Sequence, residues 1–309
     1  MNYNFLFAFD LNYFKQGCVS IYSLLQNVNC KINIFVILDD SCSNMTFPNK
    51  ISQHKNLNTL NIKKIDTEKL FYNVEFSHVS NATFYRLFLS ELFISENFNI
   101  TYLDADIVCV KDPQNAIQDA FNDMENEDKF IGFADELLRN QYEEPFIRLN
   151  MQSSKYFNAG VMLVNLGTWK KKRFSEKSFK VVENLKEKAK FWDQDVLNSL
   201  VDGEYYSISK NLNFRTSGLR KNTDTGESYF IHYSGKSKPW DVGGVFEDSA
   251  EKYHTYFKEL FDKKFHIVVK NRKNATIRLI KNIKNFNILE VTDLIQYLSK
   301  SLIAIIYKK

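Results

Sequence analysis

Two aspartates that follow a short apolar run are the residues of this chain best suited to bind a metal ion. Residues 100–103 read Ile-Thr-Tyr-Leu, which is typical of a buried strand, and Asp104 and Asp106 come next. In open α/β sheets, ligands bind beyond the carboxyl ends of the strands. Two carboxylates at this spacing can hold a divalent cation and leave coordination positions for phosphate oxygens. The pattern indicates a metal and diphosphate site, and the alternative is a solvated turn.

The composition predicts a folded α/β protein. With 309 residues, 44% hydrophobic residues and four prolines, the chain can bury one large core and carry an appendage. The four cysteines show neither metal-ligand spacing nor a paired framework, which favours reduced thiols in a cytoplasmic protein. The apolar run at residues 5–9 is too short for a signal peptide, and no 18-residue apolar span follows. We therefore expect a cytoplasmic location.

The positive charge of the chain lies in its C-terminal part. Residues 263–309 contain eleven Lys and Arg against two acidic residues, so this segment carries +9, and the remainder carries −5 of the overall +4. We therefore predict a main domain at 1–262 and a basic, mainly helical region at 263–309. No aromatic RNA-binding motif accompanies the basic stretches, which argues against a nucleic-acid partner.

The C-terminal region also has an amphipathic pattern. Ile277, Ile280 and Ile283 recur at three-residue spacing among Lys and Arg, and residues 288–307 continue with a strongly apolar helical pattern. Basic amphipathic helices lie in anionic membrane interfaces, so the region predicts peripheral contact with the inner face of a membrane. The alternative is a small helical subdomain packed on the main domain or on another subunit.

Strand and helix patterns alternate along the main domain, as in a parallel sheet covered by helices. No Gly-x-Gly-x-x-Gly dinucleotide motif is present. The patterns predict a helical stretch at 169–190 and a loop at 136–152 that could cover an active site. The predicted strands are 4–9, 32–38, 57–65, 100–103, 130–134, 161–164 and 229–233.

Polar residues follow two of the predicted strands. Asp10 and Asn12 come after the first strand, where they either bind a ligand or cap the following helix. Asn158 precedes the small residues Ala159 and Gly160, which allow a ligand to approach the backbone closely. Both positions are therefore candidates for ligand binding.

Three further stretches carry charged residues that could act on a diphosphate. Arg86, in a helix that begins near Ser80 or Asn81, could bridge the aspartates and a phosphate, or form a surface salt bridge. Asp193 and Asp195 suit a helix N-terminus as well as a site. A lone histidine such as His232 is usually structural. The glycine and lysine that follow within six residues suit a metal ligand beside a diphosphate-binding loop.

Taken in order, these motifs resemble glycosyltransferase family 8, which includes bacterial lipopolysaccharide galactosyl- and glucosyltransferases and glycogenin. The resemblance covers about residues 3–245 and implies a GT-A fold, a Rossmann-like and mostly parallel sheet flanked by helices. It implies retaining transfer of a hexose from a UDP-sugar. The motifs that carry it are residues 7–13 (Phe-Ala-Phe-Asp-Leu-Asn-Tyr), 83–86 (Thr-Phe-Tyr-Arg), 102–106 (Tyr-Leu-Asp-Ala-Asp), 157–160 (Phe-Asn-Ala-Gly), 193–195 (Asp-Gln-Asp) and 232–240 (His-Tyr-Ser-Gly-Lys-Ser-Lys-Pro-Trp).

The resemblance also implies roles for individual residues. Asp104, Asp106 and His232 would be the ligands of Mn²⁺, with Mg²⁺ as the alternative cation. The donor-binding residues would be Ala8, Asp10, Asn12 and Tyr13 for uridine, Gly235 and Lys238 for the diphosphate, and Arg86, Asn158, Ala159, Asp193 and Gln194 around the sugar, with Ala105 and Gly160 as further donor-binding residues. The predicted catalytic residues are Gln194, Asp193 and Asp135.

The predicted reaction moves galactose or glucose to an oligosaccharide or glycolipid acceptor of a bacterial surface polysaccharide or lipopolysaccharide. Retention needs either a covalent intermediate or attack on the leaving-group face. Because the Gln194 amide is a poor nucleophile, we favour front-face attack. The alternatives are a transferase that extends a protein-linked glycan, an inactive UDP-sugar-binding homologue and a metal-dependent phosphotransferase or nucleotidyltransferase.

Overall fold

The structure is a computed structural model that describes residues 3–66, 81–216, 226–235, 238–268, 272–284 and 291–306. The chain forms two compact units. The first comprises Met1–Phe214 and Ser228–Phe230, and the second comprises Arg215–Glu227 and Ile231–Lys309. The predicted boundary after residue 262 lies inside the second unit and stays a prediction. The predicted helix cap Ser80 lies outside the described residues.

The first unit is built on a seven-stranded sheet with the order β3-β2-β1-β4-β7-β6-β8. Strand β7 runs antiparallel to both of its neighbours, and the other neighbouring pairs are parallel. The strands of the chain are β1 Tyr3–Ala8, β2 Ile32–Leu38, β3 Leu57–Lys64, β4 Asn99–Leu103, β5 Ile107–Cys109, β6 Ile131–Leu138, β7 Lys155–Asn165, β8 Tyr206–Ser207, β9 Phe214–Arg215 and β10 Phe230–His232.

Helices connect most of the strands, as expected for an α/β fold. Short 3₁₀ segments lie at Leu11–Tyr13, Asp40–Cys42, Asn81–Phe88, Lys186–Lys188 and Lys210–Leu212. The α-helices are α1 Phe14–Asn27, α2 Asn49–Ser52, α3 Leu89–Leu92, α4 Gln114–Asn126, α5 Glu144–Arg148, α6 Leu166–Lys171, α7 Phe174–Leu185, α8 Trp192–Val201, α9 Ala250–Phe261, α10 Arg272–Lys284 and α11 Val291–Ile306.

Continuous apolar strands form the core of the first unit. Strand β2 lies between β1 and β3, and all of its residues except Asn33 are buried, which explains its nearly unbroken apolar sequence. The main apolar cluster joins the inner strands to the helical segments at 81–93 and 166–201. Helix α1 lies close to the end of β1. A Cβ at Gly17 would lie only 2.3 Å from the Phe9 ring. This packing holds the central strand ends in place.

Several predicted elements differ from the structure. The strand at 32–38 is confirmed, but the predicted loop at 136–152 is wrong, because β6 continues to Leu138 and α5 follows. The strand predicted at 161–164 is part of the longer β7. The helical stretch predicted at 169–190 is interrupted between α6 and α7, where Arg173 has a φ of 55°. A left-handed residue cannot continue a helix.

The second unit contains the three C-terminal helices. Helix α9 buries residues at helical spacing, and Tyr297 of α11 donates a hydrogen bond to the Val242 carbonyl at 2.8 Å. A separate apolar cluster joins Val242 and Val245 to residues of α10 and α11, so these helices form part of a folded unit. No helix among the described residues is long and apolar enough to cross a membrane.

Candidate functional site

The centre of the sheet brings two predicted binding segments to one edge. Strands β1 and β4 are parallel neighbours, with Phe7 opposite Leu103, so Asp10 and Asp104 both follow carboxyl ends at this edge. Strand β2 lies on the other side of β1, which makes this the point where the strand order reverses. Open α/β sheets bind ligands at such a point.

Asp10 organises the segment after β1. Its carboxylate accepts hydrogen bonds from the Tyr13 backbone N–H at 3.2 Å and from Asn12 Nδ2 at 3.1 Å. It therefore caps the 3₁₀ segment Leu11–Tyr13, which confirms the capping alternative. A role of these residues in uridine binding stays a prediction.

Arg86 joins two distant aspartates within the first unit. Its side chain is 6% exposed, and its Nη2 pairs with Asp104 Oδ1 at 2.9 Å. Its Nε pairs with Asp193 Oδ2 at 2.7 Å, and its Nη1 donates to the Ala159 carbonyl. The alternative of a surface salt bridge is therefore wrong. We call Arg86, Asp104 and Asp193 the Arg86 centre.

Tyr102 supports this centre from the strand before the aspartates. The Arg86 guanidinium lies 4.2 Å from the centroid of the Tyr102 ring, and the hydroxyl donates to Asp104 Oδ1 at 2.8 Å. Burial raises the pKa of Tyr102 well above its ordinary value, so the hydroxyl stays a donor. A buried ring and a hydrogen bond thus fix the orientation of both charged groups.

Three carboxyl groups act on Arg86. Burial raises the pKa of the Asp193 carboxyl to about 7, against the attraction of Arg86 and with the repulsion of Asp104. Burial acts to lower the pKa of Arg86, but Asp104, Asp193 and Asp106 raise it above its ordinary value. A cation bound beside these carboxyl groups would stabilise their ionised forms.

The two predicted sugar-binding amides lie against the backbone of β7. Gln194 Oε1 accepts from Asn158 Nδ2 and from the Ala159 N–H, both at 3.1 Å. Asn158 Oδ1 accepts from the Gly160 N–H at 3.0 Å, and the Gly160 carbonyl accepts from the Asp104 N–H at 2.9 Å. The structure therefore brings these residues together beside the Arg86 centre.

Asp135, a predicted catalytic residue, has other partners. Its Oδ1 accepts from Tyr205 Oη at 2.6 Å and Ser207 Oγ at 3.1 Å. Among the described residues, no hydrogen bond joins Asp135 to Gln194 or Asp193. The catalytic role of Asp135 stays a prediction.

Ala8, Ala105 and Asp106 lie in the first unit, and the other three predicted residues lie in the second. His232 is buried at the end of β10, and its backbone carbonyl accepts from the Thr216 N–H at 3.0 Å. Gly235 has a φ of 85°, a left-handed conformation that favours glycine. Lys238 Nζ donates to the Tyr233 carbonyl at 2.6 Å. The Lys238 ammonium therefore points back to the residue that follows β10.

The sequence interpretation missed three residues with direct contacts to predicted site residues. Tyr102 was assigned only to a strand, Glu136 only to a loop, and Tyr156 to no role. Glu136 and Tyr156 both accept hydrogen bonds from Gln194 Nε2, at 3.2 and 3.1 Å. Residue spacing carries no signal for these contacts, since they depend on how β6, β7 and α8 meet.

Comparisons with known proteins agree with this geometry. The family model described as glycosyl transferase family 8 matches residues 4–243. A lipopolysaccharide 1,2-glucosyltransferase of Escherichia coli (strain K12) is 28% identical over 79% of this chain and 74% of that protein. A lipopolysaccharide 1,3-galactosyltransferase of Salmonella typhimurium (strain LT2) is also 28% identical, over 79% of this chain and 74% of that protein.

A solved structure shows the same fold. The chain superposes on the galactosyltransferase LgtC, solved in complex with donor and acceptor sugar analogs, with a TM-score of 0.69. The two are 22% identical, and the match covers 84% of this chain and 96% of that chain. The prediction of a GT-A fold with a mostly parallel sheet and C-terminal helices is confirmed.

Proposed function

This chain belongs to glycosyltransferase family 8, and on that premise we propose that it transfers galactose or glucose from a UDP-sugar, with retention, to a glycan acceptor. The observation that carries the proposal is the Arg86 centre, a buried arginine between two carboxylates at the end of a central strand. The two relatives are lipopolysaccharide glycosyltransferases, which supports a lipopolysaccharide or another bacterial surface polysaccharide as acceptor.

We assign Asp104, Asp106 and His232 as ligands of one divalent cation. Carboxylate oxygens suit both Mn²⁺ and Mg²⁺, while the imidazole nitrogen favours Mn²⁺, because Mg²⁺ prefers oxygen ligands. The three carboxyl groups that act on Arg86 support the assignment, because a cation would stabilise their ionised forms. When bound, the cation stabilises the negative charge that develops on the departing diphosphate.

The other assignments follow the edges of the strands. Asp10 and its neighbours would hold the uridine, because they follow β1 beside the strand that precedes Asp104. The Lys238 ammonium and the backbone near Gly235 would contact the diphosphate, and Ala105 lies between the two aspartates. A fixed cationic group at this place stabilises the leaving group more as its charge grows.

Gln194 is better suited to orient the sugar than to attack it. Its Oε1 already accepts two hydrogen bonds, and a neutral amide is a weak nucleophile. We therefore favour attack by the acceptor hydroxyl on the leaving-group face, with the leaving phosphate oxygen taking the hydroxyl proton. Mass spectrometry after incubation with donor tests this route. A glycosyl adduct on Gln194 or Asp195 would overturn it.

The activity is tested with donor alone. We expect metal-dependent release of UDP from UDP-galactose or UDP-glucose, measured against the two N-acetyl sugars. D104N and D106N should lower this release by at least about 100-fold. D128N is the matched control, because Asp128 is an exposed aspartate away from the site. Release of UMP would instead support a phosphotransferase, and binding without release would support an inactive homologue.

We also propose that α10 and α11 contact an anionic membrane surface. Isoleucines 277, 280 and 283 of α10 remain exposed, as do four apolar residues of α11, while lysines and arginines lie between them. This combination suits an interfacial helix. The apolar cluster of the second unit supports the alternative, a helical subdomain that contacts only protein.

Sedimentation with vesicles that contain anionic lipid distinguishes membrane contact from a subdomain that contacts only protein. The full-length protein should sediment with them, and I277N/I280N/I283N should not. I94N/I147N is the matched control, since both residues are exposed isoleucines of the first unit. Equal sedimentation of the three proteins would remove the membrane proposal.

A further inference from the structure

The carboxylate of Glu136 lies where two amides of the proposed sugar site meet. Its Oε2 accepts hydrogen bonds from Asn158 Nδ2 and from Gln194 Nε2, both at 3.2 Å. The residue is half-buried in β6. One acidic side chain therefore contacts both amides at once.

A β-bulge places Glu136 there. In the pairing of β6 with β7, Asp135 lies opposite Phe157 and Leu137 lies opposite Tyr156, so Glu136 is the extra residue of β6 at this point. A bulge changes the direction of a side chain and is common beside active sites. The irregularity thus coincides with the residue whose carboxylate meets the amides.

Backbone groups determine which way the two amides point. The Ala159 N–H donates to Gln194 Oε1 at 3.1 Å, and the Gly160 N–H donates to Asn158 Oδ1 at 3.0 Å. Since a backbone N–H can only donate, each amide must present its oxygen to β7 and its nitrogen elsewhere. Both nitrogens are turned to Glu136, an acceptor when ionised.

The Gln194 amide is fully engaged in this arrangement. Its oxygen accepts from Asn158 and Ala159, and its nitrogen donates to Glu136 and to Tyr156 Oη at 3.1 Å. Loss of Glu136 would leave amide hydrogens of both Gln194 and Asn158 without this acceptor. The two side chains could then rotate away from the orientation seen here.

We propose that Glu136 is a positioning residue for the transfer reaction, and that it acts by holding the Gln194 and Asn158 amides in one orientation. This inference rests on the proposed function, because the orientation matters only if a sugar is bound beside these amides. Glu136 acts through these two amides. Small misplacements of an orienting group can lower turnover strongly.

The test compares kcat and donor KM for UDP release in the full-length protein. E136A should lower kcat about 10- to 100-fold, as expected for loss of a supporting partner, with donor KM changed by less than about threefold. E136D should resemble E136A, because its shorter side chain does not reach both amides. E136Q should restore kcat to within about threefold of the wild type, because its carbonyl oxygen can accept both hydrogen bonds.

A double variant distinguishes positioning from an independent contribution. If Glu136 acts through the Gln194 and Asn158 amides, E136A should slow Q194A by much less than it slows the wild type, since the effects of groups that act together do not multiply. E143A is the matched control, as Glu143 is an exposed glutamate a few residues further along, and it should equal the wild type. Multiplying losses, an unaffected E136A, or an E136Q as slow as E136A would each overturn the proposal.

A second measurement separates this proposal from the proposed function. If the wild type releases no UDP from any UDP-hexose, the proposed function fails, and the side-chain amide NMR signals of Gln194 and Asn158 still report on Glu136. These signals, assigned with Q194A and N158A, should exchange with solvent at least about tenfold faster in E136A than in the wild type and E143A. Equal exchange in E136A and the wild type would overturn the positioning role.

Discussion

Two aspartates flank Gln194, and an arginine holds each of them in a different way. Asp193 shares Arg86 with Asp104. Asp195 pairs with Arg148 at 2.7 Å and also accepts from Tyr156 Oη at 2.7 Å and the Phe191 N–H at 2.8 Å. Both aspartates are buried on α8, so burial alone does not distinguish them.

The charged groups around Asp193 differ from those around Asp195. Arg148 also pairs with Glu144, which pairs in turn with Lys190, so this group has two cations for two carboxylates. We call these four residues the Arg148 centre. In the part of the chain that the structure describes, Arg86 interacts with Asp104 and Asp193 of its centre and also with Asp106. We infer that a group of carboxyl side chains around one described arginine suits a bound cation better than a group with equal numbers of cations and carboxylates.

The largest effect on stability should come from a change in the Arg148 centre. Arg148→Met should lower the free energy of unfolding by about 3–5 kcal/mol, because it leaves Asp195 buried without its cation. Urea unfolding measures this loss. Turnover per folded molecule should change by less than about threefold. An unchanged stability would show that the hydrogen bonds from Tyr156 and Phe191 suffice.

The largest effect on activity should come from a change in the Arg86 centre. Arg86→Lys keeps the positive charge. A single ammonium group cannot, however, replace the planar guanidinium that contacts both carboxylates and the Ala159 carbonyl. UDP release should fall about 10²- to 10³-fold. The same substitution, Arg148→Lys, is the control and should lower turnover far less. Equal losses of activity in the two variants would show that the Arg86 centre is no more important for the reaction than the Arg148 centre.

A divalent cation should stabilise the protein through the Arg86 centre only. At 100 times its dissociation constant, Mn²⁺ should raise the free energy of unfolding by about 2.7 kcal/mol. Arg148→Met should retain this gain, and D106N should lose most of it. Thermal unfolding with and without Mn²⁺ measures the difference. The same gain in D106N would place the cation elsewhere.

A further effect, which is modest for each pH unit, concerns pH. Burial raises the pKa of Asp193 to about 7 in the folded protein, above the ordinary value of 3.8 that applies to the unfolded chain. Between these values the folded state keeps a proton that the unfolded state releases, so stability falls as pH rises, by up to roughly 1.4 kcal/mol per pH unit. Urea unfolding without added metal should show this slope in the wild type but not in D193N. An equal slope in both proteins would contradict the assignment.

The strand ends and the residues that follow them could be predicted from sequence. The run at 100–103 and the strand at 32–38 are mostly apolar because both lie inside the sheet and are buried, so the polar residues after them stand out. The same reasoning placed Asp10 and Asp104 directly after strand ends. The resemblance in the motifs, rather than residue periodicity, predicted the family.

The supporting contacts could not be predicted. A bulge changes which residue of β6 meets β7, and neither apolar pattern nor residue type marks Glu136 as the extra one. Arg173 interrupts a helical pattern with a left-handed φ that arginine seldom adopts. Each feature depends on tertiary contacts that local sequence does not encode.

The path of the chain between the two units limits how the protein can be recombined with its relatives. The first unit includes Ser228–Phe230, which come after the first thirteen residues of the second unit, Arg215–Glu227. A chimera spliced after Phe214 would therefore take three residues of its first unit from the other parent. Exchanges that keep the segment through Phe230 from one parent avoid this mismatch.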